Sequence, residues 1–136
     1  MKLRRDHMKE MYAHAREVQP EECCGLIGGA SDVVRSIYRL RNVARDAMIA
    51  YEAAPEDLFD AQRCIRDRGE QLLGIYHSHP RTDEPEPSET DVRMAYYPSA
   101  IYFIIGLQGK EPSLRAFSIN EAKRLWEPAS YTVIDD

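Results

Sequence analysis

Apolar residues between Leu3 and Val18 recur three and four apart, at Met8, Met11, Tyr12, Ala15 and Val18. This spacing predicts an amphipathic helix ended by Gln19-Pro20. His7 and His14 lie on it seven residues apart and are expected to be partly exposed. After Pro20 the period shortens. Glu21 to Gly29 has an apolar centre and runs into Gly29-Ala30-Ser31-Asp32, the pattern of a strand and a hairpin turn. Val33 to Val43 is the expected return strand, and Ile49 to Ala53 a third. Pro55-Glu56-Asp57 then opens a second helix, with proline at its first position and acids in its first turn. Its predicted buried stripe is Leu58, Ala61, Cys64 and Ile65, and Gly69 is its C-cap.

Gln71 to His79 reads as a buried strand ended by Pro80. Alternation places Leu73, Ile75, His77 and His79 on one face, the two histidines about 7 Å apart along the strand. A proline- and acid-rich loop follows from Arg81 to Pro87, then a short helix from Glu89 to Ala95 with Ser88 as its N-cap. Ala100 to Gly106, the most apolar run, is expected to be a central strand buried on both faces. Ser113 to Ile119 is another strand, and the segment from Trp126 to Ile134 supplies one or two at an edge. These elements make an α/β sandwich, a single mixed and largely antiparallel sheet flanked by helices, in one domain over residues 1–136.

The face shared by His77 and His79 carries the chemistry. Two imidazoles on one face can share a metal. Ser88 as N-cap puts Asp91 at the N3 position on the same side of the first helical turn. Two neutral nitrogens and one carboxylate oxygen leave a fourth tetrahedral position open on zinc, which is the arrangement of a catalytic site.

Composition adds exclusions. The chain has 136 residues, 30% charged and 43% hydrophobic, with a net charge of -5. Without a basic patch, nucleic acid is not an expected partner. No run suits a membrane span or a signal peptide, so membrane association is not expected either. Cys23, Cys24 and Cys64 make no even disulfide framework, consistent with a reducing cytoplasm. Adjacent cysteines on a strand face opposite ways, which favours packing over a redox or metal pair.

The order Glu22, His77-x-His79, Ser88-x-x-Asp91 resembles the JAMM signature of the Mov34/MPN/PAD-1 metallopeptidases. The likeness extends to Glu22-Cys23-Cys24-Gly25-Leu26-Ile27-Gly28, with a glutamate three residues before a glycine, to the Pro55-Glu56-Asp57 helix and to Ser99-Ala100-Ile101-Tyr102. It spans about Met8 to Ile119. It implies the MPN/JAB, cytidine-deaminase-like sandwich, with Zn2+ on His77, His79 and Asp91. Glu22 would be the general acid/base and Ser88 the oxyanion partner, with Glu21 the alternative base because the two acids are adjacent. Short prokaryotic members are similar to peptidases that hydrolyse the bond after the C-terminal Gly-Gly tail of a ubiquitin-like or sulfur-carrier protein, releasing cysteine or a lysine-linked target. Two departures stand out. The acidic loop from His79 to Ser88 is longer than in many bacterial members, and the insertions that grip a second ubiquitin are missing. The competing readings are a metal-free MPN scaffold for protein–protein contacts, and a metallopeptidase acting on cell-wall or phage-tail peptides or on a small amide.

Overall fold

The computed structural model describes residues 1–135, so the last residue of the expected domain, Asp136, lies outside it. The order of elements is β1 (Lys2–Arg4), α1 (Arg5–Val18), β2 (Cys24–Ala30), β3 (Val33–Leu40), α2 (Pro55–Asp67), β4 (Gln71–His79), α3 (Glu89–Arg93), β5 (Ile101–Gly106), β6 (Ser113–Asn120), β7 (Leu125–Ala129) and β8 (Thr132–Ile134). All strands join one eight-stranded sheet in the order β7-β6-β5-β4-β2-β3-β1-β8. Pairing is antiparallel in β2–β3, β2–β4, β5–β6 and β6–β7. It is parallel in β4–β5, β1–β3 and β1–β8.

The sheet is strongly curled. β7 and β8 occupy its opposite edges, yet only Ser130 and Tyr131 separate them in sequence. Three chain steps reach about 11 Å, whereas seven flat strand spacings would span roughly 34 Å. Curling closes that gap. Tyr131 fastens the joint: its hydroxyl donates to the carbonyl of Leu114, and its ring meets Phe103 edge-on. The expected edge strands are therefore present, but one lies at each edge.

Two apolar cores lie on the two faces. Leu3, Met11 and Ala15 pack with Ile27, Tyr76, Phe103 and Ile105. On the other face Ala61, Ile65 and Val92 cover Leu26, Ile75, Tyr102 and Ile104. Cys23 belongs to the first core and Cys24 to the second, as alternation predicts. Burial pushes both thiols up to about 12, which leaves them unreactive packing groups. No helix among the described residues is long and apolar enough to cross a membrane.

Several expectations change. The first helix begins at Arg5, because Lys2–Arg4 extends to pair with β3 and β8. His7 and His14 are buried, on the same stripe as Met11. Their spacing of two turns places them there, and residue type had suggested the surface instead. His14 Nδ1 shares a 2.7 Å hydrogen bond with the Tyr76 hydroxyl, and burial, aided by Arg39, lowers its pKa to about 4. Cys64 is exposed on α2. β3 ends at Leu40, and α3 ends at Arg93.

Residues 49–53 form no strand; a single bridge joins Asn42 to Ala53. The Asn42 side chain supplies the reason. Its Nδ2 donates to the carbonyls of Glu22 and Ala50 at 2.9 Å, and its Oδ1 accepts from Ala44 and Glu52 N–H groups. The loop thus folds around one amide instead of a ladder. Finally, a bulge lets Ile27 face Gly74 while Gly28 faces Leu72. The extra residue, Leu73, turns to the α1 face, so it does not share the face of Ile75.

Candidate metal centre

β4 lies between β2 and β5, and its C-terminal end carries both histidines. Burial on either side makes this end rigid: His77 is 0% exposed and Ser78 is also fully buried. The antiparallel register pairs Cys24 with His77. Glu22, two residues before β2 begins, therefore arrives beside His79, on the same face. Ser78 locks this junction from the opposite face: its N–H donates to Cys23 O at 3.2 Å and its Oγ accepts from Cys23 N–H at 2.8 Å. Gly25 is required here. A Cβ at that position would lie 2.1 Å from Tyr76 Cε1, so the glycine makes room for the ring that reaches His14.

α3 delivers the carboxylate. Ser88 caps the helix in a reciprocal box with Asp91, which turns Asp91 inward, where it is 9% exposed. Asp91 Oδ2 lies 3.1 Å from His77 Nε2 and 3.0 Å from His79 Nε2. The two Nε2 atoms are 3.1 Å apart, because the rings tilt toward each other across the strand. Donors at about 2.0–2.1 Å from a tetrahedral ion stand roughly 3.3 Å apart, so this triangle fits a divalent metal. Glu22, His77 and His79 each also offer a ligand atom within 4.8 Å of the others. Glu22 is 5% exposed and its Oε1 has no hydrogen-bond partner, a costly state for an unused buried carboxylate. Glu21 is exposed. The five residues singled out in the sequence thus converge on one place.

The electrostatics follow the packing. Burial would raise the Asp91 carboxyl, but the His77 charge, hydrogen bonds from both imidazoles and the Ser88 N–H hold it well below the usual range. Glu22 behaves oppposite to Asp91: burial pushes it up to about 8, with Asp91 adding to the rise and His79 opposing it. Two nearby carboxyl groups with pKa values pushed apart suit one to hold a cation and the other to carry a proton. Ser88, at the protein surface, borders an open cleft of about 250 Å³ together with Glu22, Met48, Ile49 and His79.

This arrangement sits in a recognisable sequence. A family model described as prokaryotic homologs of the JAB domain matches residues 4–120. The chain belongs to this prokaryotic JAB family. A desampylase of Haloferax volcanii is 35% identical to this JAB protein, covering 81% of it and 83% of the relative. A CysO-cysteine peptidase of Mycobacterium tuberculosis is 31% identical over 94% of the chain and 88% of the relative. Among solved structures, a Desulfitobacterium hafniense protein superposes with a TM-score of 0.86 at 33% identity, covering 99% of this chain and 93% of that one.

Sequence reasoning missed the loop from Val43 to Glu52. It places Met48 and Ile49 on the rim of the cleft and stacks Tyr51 on His77, with ring centroids 4.5 Å apart and planes 29° apart. Read as a strand, Ile49 to Ala53 gave no signal for this. The Asn42-centred loop that produces it has no periodicity.

Proposed function

We propose that this JAB protein is a zinc metallopeptidase that hydrolyses the bond after the C-terminal Gly-Gly tail of a ubiquitin-like or sulfur-carrier protein, freeing cysteine or a lysine-linked target. The observation that carries the reading is the triangle of His77 Nε2, His79 Nε2 and Asp91 Oδ2, with the Glu22 carboxyl beside it. The two named relatives, a desampylase and a CysO-cysteine peptidase, support the substrate class.

His77, His79 and Asp91 would hold the zinc, which supplies Lewis acidity and a water of lowered pKa when bound. Glu22 takes a proton from the attacking water as its oxygen joins the scissile carbonyl carbon. The same carboxyl then gives that proton to the departing nitrogen as the C–N bond breaks. A raised proton affinity suits Glu22 to both halves of this transfer. The Ser88 hydroxyl, whose oxygen already accepts the Asp91 N–H at 3.0 Å, donates its hydrogen to the developing oxyanion. Ile49 and Ser88 both border the open cleft beside Glu22 and His79, which is where the Gly-Gly tail would lie. We read residues 1–136 as one domain. The three cysteines, none in a disulfide, favour a cytoplasmic setting.

The test is incubation of the zinc-loaded protein with Gly-Gly-tailed carriers joined to cysteine or to lysine, followed by intact mass measurement. Release of the carrier with a free Gly-Gly carboxylate is expected. Cleavage of a small amide with every carrier adduct intact would contradict the assignment.

A further inference from the structure

A histidine that ligates a metal is normally held in plane by a hydrogen bond from its second ring nitrogen to a carboxylate or carbonyl. His77 lacks this support. Its Nδ1 is buried and has no hydrogen-bond partner among the described residues. The ring is nonetheless confined, because Tyr51 lies against it nearly face to face, with centroids 4.5 Å apart. His79 meets the His77 ring edge-on at 4.9 Å, so His77 has two aromatic contacts, of which only Tyr51 covers its face.

Tyr51 is itself fixed. The residues on either side of it are both bound by the Asn42 side chain, Ala50 through its carbonyl and Glu52 through its N–H. The same amide holds the carbonyl of Glu22. Asn42 thereby ties the tyrosine to the strand entry that carries the proposed acid/base. Tyr51 also lines an apolar cavity of about 210 Å³, together with Leu26, Leu40, Ile75 and Tyr102. Without the tyrosine ring, His77 would be free to rotate toward that space.

We propose that Tyr51 is a positioning residue for the metal centre: by stacking, it holds the His77 imidazole in the orientation that a hydrogen bond enforces in other sites. This rests on the zinc reading above. It assigns the work to the aromatic face and none to the hydroxyl.

The experiment measures zinc affinity by competition with a chromogenic chelator, together with the visible absorption of the cobalt-substituted protein. Tyr51→Phe keeps the ring and should match the parent within about twofold with an unchanged cobalt band. Tyr51→Leu should bind zinc roughly ten- to hundredfold more weakly and shift the cobalt band, the range found when such supports are removed. Tyr51→Met, unbranched and better able to fill an irregular gap, carries the same expectation should the leucine variant fail to fold. Parent-like affinity and spectrum in the leucine or methionine variant would overturn the inference and leave the zinc reading intact. Loss in Tyr51→Phe equal to that in Tyr51→Leu would also overturn it, by moving the role to the hydroxyl. A parent protein that takes up neither metal would overturn the zinc reading as well.

Discussion

Ser88 and Asp91 hold each other through two hydrogen bonds, Asp91 N–H to Ser88 Oγ at 3.0 Å and Ser88 N–H to Asp91 Oδ2 at 2.9 Å. The oxygen that accepts the second bond is also the one facing both imidazoles. A helix cap and a candidate metal ligand are thus one structural unit. Ser88→Ala should therefore do two things. Losing the cap should cost about 1 kcal/mol of stability. Losing the oxyanion donor should lower kcat by roughly 10²- to 10³-fold. Denaturant unfolding and steady-state kinetics on the same sample separate the two, and a stability loss with kcat intact would leave Ser88 only a cap.

Glu22→Gln keeps the shape of the site and removes its proton carrier. Zinc content should stay as in the parent while hydrolysis falls by about 10²-fold or more. Glu21→Gln, at an exposed position, should leave turnover near the parent value. If Glu21→Gln is the inactive variant, the acid/base has been assigned one residue off.

His14, on the α1 face of the sheet, ties stability to pH. Its folded pKa of about 4 lies below the 6.5 of an unperturbed histidine, so below pH 6.5 the unfolded chain takes up a proton that the folded chain resists. This contribution is complete above pH 6.5 and is lost as pH falls toward 4, at up to about 1.4 kcal/mol per pH unit. Urea unfolding from pH 7 to 4.5 should show this slope, flattened in His14→Gln; an equal slope in the variant would place its origin elsewhere.

Gly25→Ala should destabilise the fold by about 1–3 kcal/mol, because the new methyl group must displace the Tyr76 ring and with it the bond to His14. Thermal unfolding measures it. A melting temperature equal to the parent's would mean that β2 shifts freely at this point.

How much of this was legible in the sequence follows from how local each signal is. The strand ending in His77-Ser78-His79 and the cap at Ser88 depend on alternation and on one short helical turn, and both were readable. Glu22 was readable as a candidate only. Its place beside His79 depends on the register between β2 and β4, which is a property of the sheet. Leu73 changed face because a bulge is invisible to a period-two count. Tyr51 was hidden for a similar reason: its stacking on His77 comes from a loop folded around the Asn42 amide, and no spacing rule describes that loop. His7 and His14 show the opposite failure. Their spacing marked the buried face correctly, and the expectation that histidine stays at the surface overrode it.

If His77, His79 and Asp91 form a metal-binding unit, elemental analysis of protein purified without chelator will register the ion they hold. About one zinc per chain is expected in the parent, and far less in Asp91→Ala, with the fold retained by circular dichroism. A folded parent protein that holds no zinc after incubation with the ion and removal of the excess would mean that these three side chains are not a metal site.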